Sequence, residues 1–160
     1  MSAKRDFKYI VSALHGAENL LNCFACGTCT AGCPVRALDP RYNPRKIIRQ
    51  VILGKQEVVA SEEIWLCTSC YTCQERCPQD VKITDLIIAL RNLAVSEGHL
   101  PTGIAMQSKF VSEFGRLYEL SDFDNKKREK MGLPPLKITF DEVECVFPDT
   151  LKSKDRSEDE

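Results

Sequence analysis

Long apolar runs are missing from this sequence. The longest, Leu86–Leu90, has five residues, against the roughly 20 that a membrane-spanning helix needs, so no membrane span is expected. The opening residues, Met1-Ser2-Ala3-Lys4-Arg5-Asp6, hold no apolar stretch of the kind a signal peptide carries. Charge of one sign is missing as well: 22 Lys and Arg against 23 Asp and Glu leave a net charge of −1, which favours neither nucleic acid nor an anionic membrane surface. No Gly-rich phosphate loop follows a strand pattern, so no flavin or nicotinamide site is visible. Paired carboxylates and nucleophile–base sets are not recognisable either. The two histidines, His15 and His99, stand in no pattern with other titratable groups and read as surface or capping residues. These gaps leave a chain with no evident place to change a substrate.

What the chain does have is cysteine. Eight of its nine cysteines form two copies of Cys-x2-Cys-x2-Cys-x3-Cys-Pro: Cys23, Cys26, Cys29, Cys33 and Pro34, then Cys67, Cys70, Cys73, Cys77 and Pro78. This spacing ligates cubane [4Fe–4S] clusters, and its duplication implies two of them. Without an export segment, so many cysteines point to metal ligation in a reducing cytoplasm and not to disulfides. Paired Cys-x2-Cys ligands also occur in structural zinc sites, but a third cysteine at x2 and a fourth at x3 before proline are iron–sulfur spacing. In such runs the fourth cysteine ligates the other cluster. The expected sets are Cys23, Cys26, Cys29 with Cys77, and Cys67, Cys70, Cys73 with Cys33. Gly27 and Thr28 are small enough for a loop to wrap closely round a cluster. Phe24, Trp65 and Tyr71 flank ligands and are placed to shield a cluster or to pack in the core. Arg36, Arg76 and Lys82 are placed to balance cluster charge or to face water. Cys145 lies outside both motifs, with no second cysteine or histidine beside it, and reads as an ordinary free thiol.

The rest of the chain reads as helices. Residues 9–21 place Ile10, Val11, Leu14, Ala17, Leu20 and Leu21 at near-helical spacing, weakened by Gly16. Asn43-Pro44 is a helix start, because Asn can cap and Pro at the first position has no N–H to waste. Ile47, Ile48, Val51 and Ile52 then give one apolar face, and Gly54 ends it. Ser61 with Glu62 and Glu63 starts another helix that leads into Cys67. Thr84 is expected to cap a helix from Asp85 to about Ser96, with Ile83 stapled onto Ile88 and a stripe of Leu86, Ile87, Leu90, Leu93 and Ala94, closed by Gly98. A further helix is expected around 102–120, carrying Met106, Phe110, Phe114 and Leu117. Irregular structure is expected from about residue 121, where charge runs and Pro134-Pro135 take over, with the last ten residues mobile unless a partner holds them. The 33 residues between Cys33 and Cys67 read as two helices, where small two-cluster ferredoxins have a short hairpin-rich stretch. The fold class is therefore all-α: an α-helical ferredoxin domain over residues 1–120 with two [4Fe–4S] cluster-binding loops, and an irregular C-terminal extension over 121–160.

The stretch from Asn19 through Cys23-Phe24-Ala25-Cys26-Gly27-Thr28-Cys29-Thr30-Ala31-Gly32-Cys33-Pro34 resembles the C-subunit family of heterodisulfide reductases. So does Ile64-Trp65-Leu66-Cys67-Thr68-Ser69-Cys70-Tyr71-Thr72-Cys73-Gln74-Glu75-Arg76-Cys77-Pro78, followed by Val81-Lys82-Ile83-Thr84. The resemblance runs through the helices to about Pro101 and more loosely to Pro135. It implies an electron-relay component of a complex in methanogens and some other anaerobes. A flavin-containing A-subunit would supply electrons, and a cysteine-rich catalytic B-subunit would reduce the coenzyme M–coenzyme B disulfide. The clusters of that catalytic partner need adjacent cysteines, and this chain has no Cys-Cys pair, so the resemblance assigns it the relay and no catalytic residues. Two other readings stay open: a free-standing ferredoxin-like carrier, and an iron–sulfur subunit of a fumarate- or quinone-linked oxidoreductase. The apolar content of residues 102–120 favours a stably bound subunit.

Overall fold

Helix, 3-10 turns and loops make up the whole of the described chain, residues 3–138 and 140 of a computed structural model. No strand occurs among these residues, as the helical reading of the spacer requires. No helix among them is long and apolar enough to cross a membrane. The chain divides into two units between His99 and Leu100. Gly98, at φ +83, closes the helix before it in the left-handed conformation that glycine adopts without penalty. Pro101 then starts the next.

The first unit begins with α1, Ala3–Ser12. The single helix expected over 9–21 does not form: after Ser12 the chain turns, and a short 3-10 turn spans Leu20–Asn22. Gly16 is the reason. It is buried with φ +86, and a Cβ there would stand 2.5 Å from the Cβ of Asp85, so the backbone makes a close approach that only glycine permits. Phe7, Val11, Ala17 and Leu20 reach the core, while Ile10 and Leu21 of the expected stripe stay exposed.

Two very short helices follow, α2 at Thr28–Ala31 and α3 at Pro34–Leu38. α4, Pro44–Ile52, starts as the sequence predicts: the Asn43 side chain accepts the backbone N–H of Lys46, and Pro44 takes the first position. Ile47, Ile48 and Val51 are fully buried and Ile52 partly. 3-10 turns at Gln56–Val58 and Glu62–Leu66 take the place of a second spacer helix. Ser61 does not cap this last turn; its hydroxyl donates back to the carbonyl of Val58.

α5, Thr72–Glu75, is the counterpart of α2, and the two pack on each other. α6, Ile83–Ser96, is the central helix of the unit. It starts two residues earlier than expected, so Thr84 is not its cap: it lies inside the first turn and is buried to 1% exposure. Ile83 is likewise buried within the helix while Ile88 is exposed, so no staple joins them. The stripe of Leu86, Ile87, Leu90 and Ala94 is buried as expected, with Leu93 partly buried.

In the second unit, α7 spans Thr102–Phe114 and ends at Gly115 in the left-handed conformation. The rings of Phe110 and Phe114 meet at a tilt, 6.1 Å between centres, and Met106 and Leu117 are exposed. The stretch read as irregular from residue 121 carries a helix, α8, at Asp122–Lys130. A capping box forms it: Ser121 Oγ accepts the backbone N–H of Asp124, and the Asp124 carboxylate accepts the backbone N–H of Ser121. The Asn125 amide then pairs both ways with the Leu136 backbone, and Arg128 donates to the carbonyl of Pro134. The prolines thus sit in a segment tied back along α8. The expected mobile tail and Cys145 lie outside the described residues.

Candidate metal centre

The two cysteine loops are built alike, residue by residue. In the first, Ala25 and Gly27 have φ of +60 and +88; in the second, the matching Ser69 and Tyr71 have +53 and +62. Left-handed backbone at three non-glycine positions in these two loops is unusual, and such strain gathers where a loop must bend round a ligand. Gly27 and Tyr71 are also the residues just before α2 and α5, so each loop reverses and enters a single helical turn that carries its third cysteine.

Each loop then presents its thiols in the same order of depth. Cys26 and Cys70 are exposed, Cys29 and Cys73 are buried, and Cys23 and Cys67 are intermediate. Cys33 is buried and Cys77 intermediate. Thr28 Oγ1 lies 3.3 Å from Cys26 Sγ, and the matching Thr72 Oγ1 lies 3.6 Å from Cys70 Sγ. These hydroxyls hold the Cys26 and Cys70 thiols below the usual thiol range, because a donor beside the sulfur favours its charged form. Burial does the reverse at Cys29 and Cys73 and pushes both thiols up.

The fourth cysteines end the loops with backbone help. Cys33 caps α3 and its Sγ accepts the N–H of Arg36 at 3.5 Å, with Pro34 at the first helical position. Cys77 Sγ accepts the N–H of Val81 at 3.3 Å, and Cys67 Sγ that of Ser69 at 3.4 Å. The packing of α2 against α5 brings the motifs together. The thiols whose charge acts on Cys73 are Cys67 and Cys70 of its own loop and Cys33 of the other, and Cys29 feels Cys73 as well as Cys23.

An all-thiol donor set of this kind fits a cubane cluster, in which each of four irons takes one thiolate. A single zinc would draw its thiolates to about 2.3 Å from one point. Among the described residues no group of three or more His, Cys, Asp or Glu side chains is placed to hold a single metal ion.

Several neighbours of these loops were beyond the reach of the sequence. Tyr42 is buried to 1% exposure, and its hydroxyl, beside Cys67 with Cys33 and Cys73 further off, is pushed up chiefly by burial. Thr84 Oγ1 lies 3.7 Å from Cys73 Sγ. Arg91 donates to the carbonyls of Ile64, Trp65 and Cys67 and lies over the Trp65 ring, 5.6 Å from its centre. The only legible signal for any hydroxyl was the repeat of threonine two residues after the second cysteine. Of the flanking aromatics, Trp65 packs against the core, whereas Phe24 and Tyr71 are exposed. Arg36 donates to the carbonyl of Pro40, and the Arg76 guanidinium stands against Gly32, 3.2 Å from where a Cβ would be. Lys82 is exposed. His15 and His99 are both exposed, His15 within 3.7 Å of Glu18.

Comparison with known proteins agrees with this geometry. Residues 19–81 match a family model described as a 4Fe-4S dicluster domain. The chain is 43% identical over 117 residues to the second iron-sulfur C-subunit of the CoB–CoM heterodisulfide reductase of Methanocaldococcus jannaschii, covering 73% of this chain and 62% of that protein; it thus spans about three fifths of that relative's length. It is 39% identical over 134 residues to the C-subunit of the ferredoxin:CoB-CoM heterodisulfide reductase of Methanosarcina mazei, covering 84% of this chain and 80% of the relative. With the iron-sulfur C-subunit of the CoB–CoM heterodisulfide reductase of Methanopyrus kandleri the identity is 40% over 145 residues, 86% of this chain and 75% of the relative. Sharing this identity over most of its length, with both cysteine loops inside the matched region, the chain belongs to the C-subunit family of heterodisulfide reductases.

Proposed function

We propose that this chain relays single electrons through two [4Fe–4S] clusters, as a non-catalytic subunit of a CoB–CoM heterodisulfide reductase complex in the cytoplasm. Its donor would be the flavin-containing A-subunit, and its acceptor the cysteine-rich catalytic B-subunit. Cubane clusters supply one-electron redox chemistry and no group transfer. Cys23, Cys26, Cys29 and Cys77 would hold one, and Cys67, Cys70, Cys73 and Cys33 the other. The observation that carries this reading is the pair of matching loops meeting at α2 and α5.

The protein's own residues do three things in this scheme. Cys29, Cys33 and Cys73, buried between the loops, keep water from the shared interior, so an electron passing between the halves meets little solvent reorganisation. The left-handed residues at 25, 27, 69 and 71 turn each loop round its cluster. Cys26 and Cys70, exposed at the outer edge of each loop, mark where a partner would approach.

Iron and acid-labile sulfide analysis, with electron paramagnetic resonance of the reduced protein, tests the clusters; zinc without sulfide overturns the proposal. Anaerobic pull-down from native cells tests the partners. A flavoprotein and a second cysteine-rich chain are expected to co-purify, and recovery of a lone monomer argues against membership of a complex.

A further inference from the structure

The two loops match, but what stands behind them does not. Behind the first, the hydroxyl nearest the buried Cys29 is that of Thr30, at 3.9 Å. Its one proton is committed to Asn43 Oδ1 at 2.9 Å, and its oxygen accepts the N–H of Arg45 at 3.2 Å. The Thr30 hydroxyl therefore has no proton left for Cys29. Behind the second loop, the buried Thr84 hydroxyl has the Cys73 sulfur as its partner at 3.7 Å. Ligation removes the thiol proton, which leaves the hydroxyl as the donor of that pair.

Charge is also placed unequally. Arg91, half-buried on α6, holds the carbonyl of the ligand Cys67 at 2.6 Å and those of Ile64 and Trp65 at 3.0 and 3.2 Å. Arg45 and Arg76, whose guanidiniums stand beside Gly27 and Gly32 of the first loop, are exposed, where water and salt screen them. The loop hydroxyls of Thr28 and Thr72 take the same place in both halves and do not distinguish them.

We infer that Thr84 and Arg91 are positioning residues that set the cluster of Cys67, Cys70, Cys73 and Cys33 at the higher reduction potential of the two. A cluster gains negative charge when it takes an electron. A hydrogen bond to its sulfur and a fixed positive charge behind a ligand both favour that reduced form, more so away from water. The relay then runs downhill from the half carrying Cys23 to the half carrying Cys67, where the electron rests before it leaves.

This inference rests on the two-cluster reading, and the test separates the two. The full chain is loaded anaerobically with iron and sulfide, and both midpoints are read by a redox titration followed by electron paramagnetic resonance. A wild-type chain that loads no cubane overturns both readings together. In a chain with two clusters, Thr84→Val keeps the shape and removes the donor; the higher midpoint is expected to fall by about tenfold in the one-electron equilibrium, 59 mV, while the lower one stays. Thr84→Ser restores it. Arg91→Gln is expected to lower the same midpoint, and Arg91→Lys, which keeps the charge, to lower it less. Unmoved midpoints in both Thr84→Val and Arg91→Gln, at full iron content, overturn the inference. Movement of the lower midpoint alone does so too.

Discussion

Gly16→Ala offers a measurement in which two separate costs of a side chain can be told apart. At this position the backbone has φ +86, and the new Cβ would meet the Asp85 Cβ at 2.5 Å. Left-handed backbone costs an ordinary residue about 1–2 kcal/mol. The clash is with an atom next to the backbone of α6, not with the far end of a flexible chain, so α6 or the 13–17 turn must move; overpacking of this kind costs about 1–3 kcal/mol. The sum is about 2–5 kcal/mol. Gly98 is the control, since its φ is +83 and nothing lies within 4 Å of a Cβ there; Gly98→Ala carries the backbone cost alone. For a chain of this size 1 kcal/mol moves a thermal midpoint by about 2–4 °C. Both variants are compared with wild type by far-ultraviolet circular dichroism at one scan rate under nitrogen, because cluster loss makes unfolding irreversible. Gly16→Ala is expected to lower the midpoint clearly further than Gly98→Ala. Equal shifts would refute the close approach of the 13–17 turn to α6.

Other consequences follow from the same contacts. Cys33→Ala is expected to damage the cluster of Cys67, Cys70 and Cys73, and Cys77→Ala the other one; resonance spectra showing each change confined to its own motif's cluster would disprove the crossing. Asn43→Ala removes the α4 cap, at a cost of about 1 kcal/mol in a denaturation experiment. It also frees the Thr30 proton to turn toward Cys29, so the lower of the two midpoints is expected to rise. Ser121→Ala breaks the capping box of α8, and faster amide exchange is expected in its first turn, with both clusters' spectra unchanged.

The cysteine spacing, the Asn43-Pro44 helix start and the Gly98 stop were determined by the sequence itself. Each is a local requirement: the cysteines of each motif lie within one short loop, and a cap or a left-handed glycine acts on residues within one turn. The all-helical fold was legible for a related reason, since the spacer shows the 3.6-residue period on the face of Ile47, Ile48 and Val51. Periodicity alone could not tell that the stripe from Ile10 to Leu21 breaks after Ser12. That break depends on the approach of Asp85, far along the chain, to a glycine with no Cβ. Nor could it tell that the segment after residue 120 holds a helix, because α8 buries no residue and is set by a box of two hydrogen bonds. Tertiary structure likewise decided the chemical difference between the halves. Thr84 has the residue type of a cap, and only the packing of α6 on α5 turns its hydroxyl to the Cys73 sulfur; where a hydroxyl's single proton goes depends on what is folded against it.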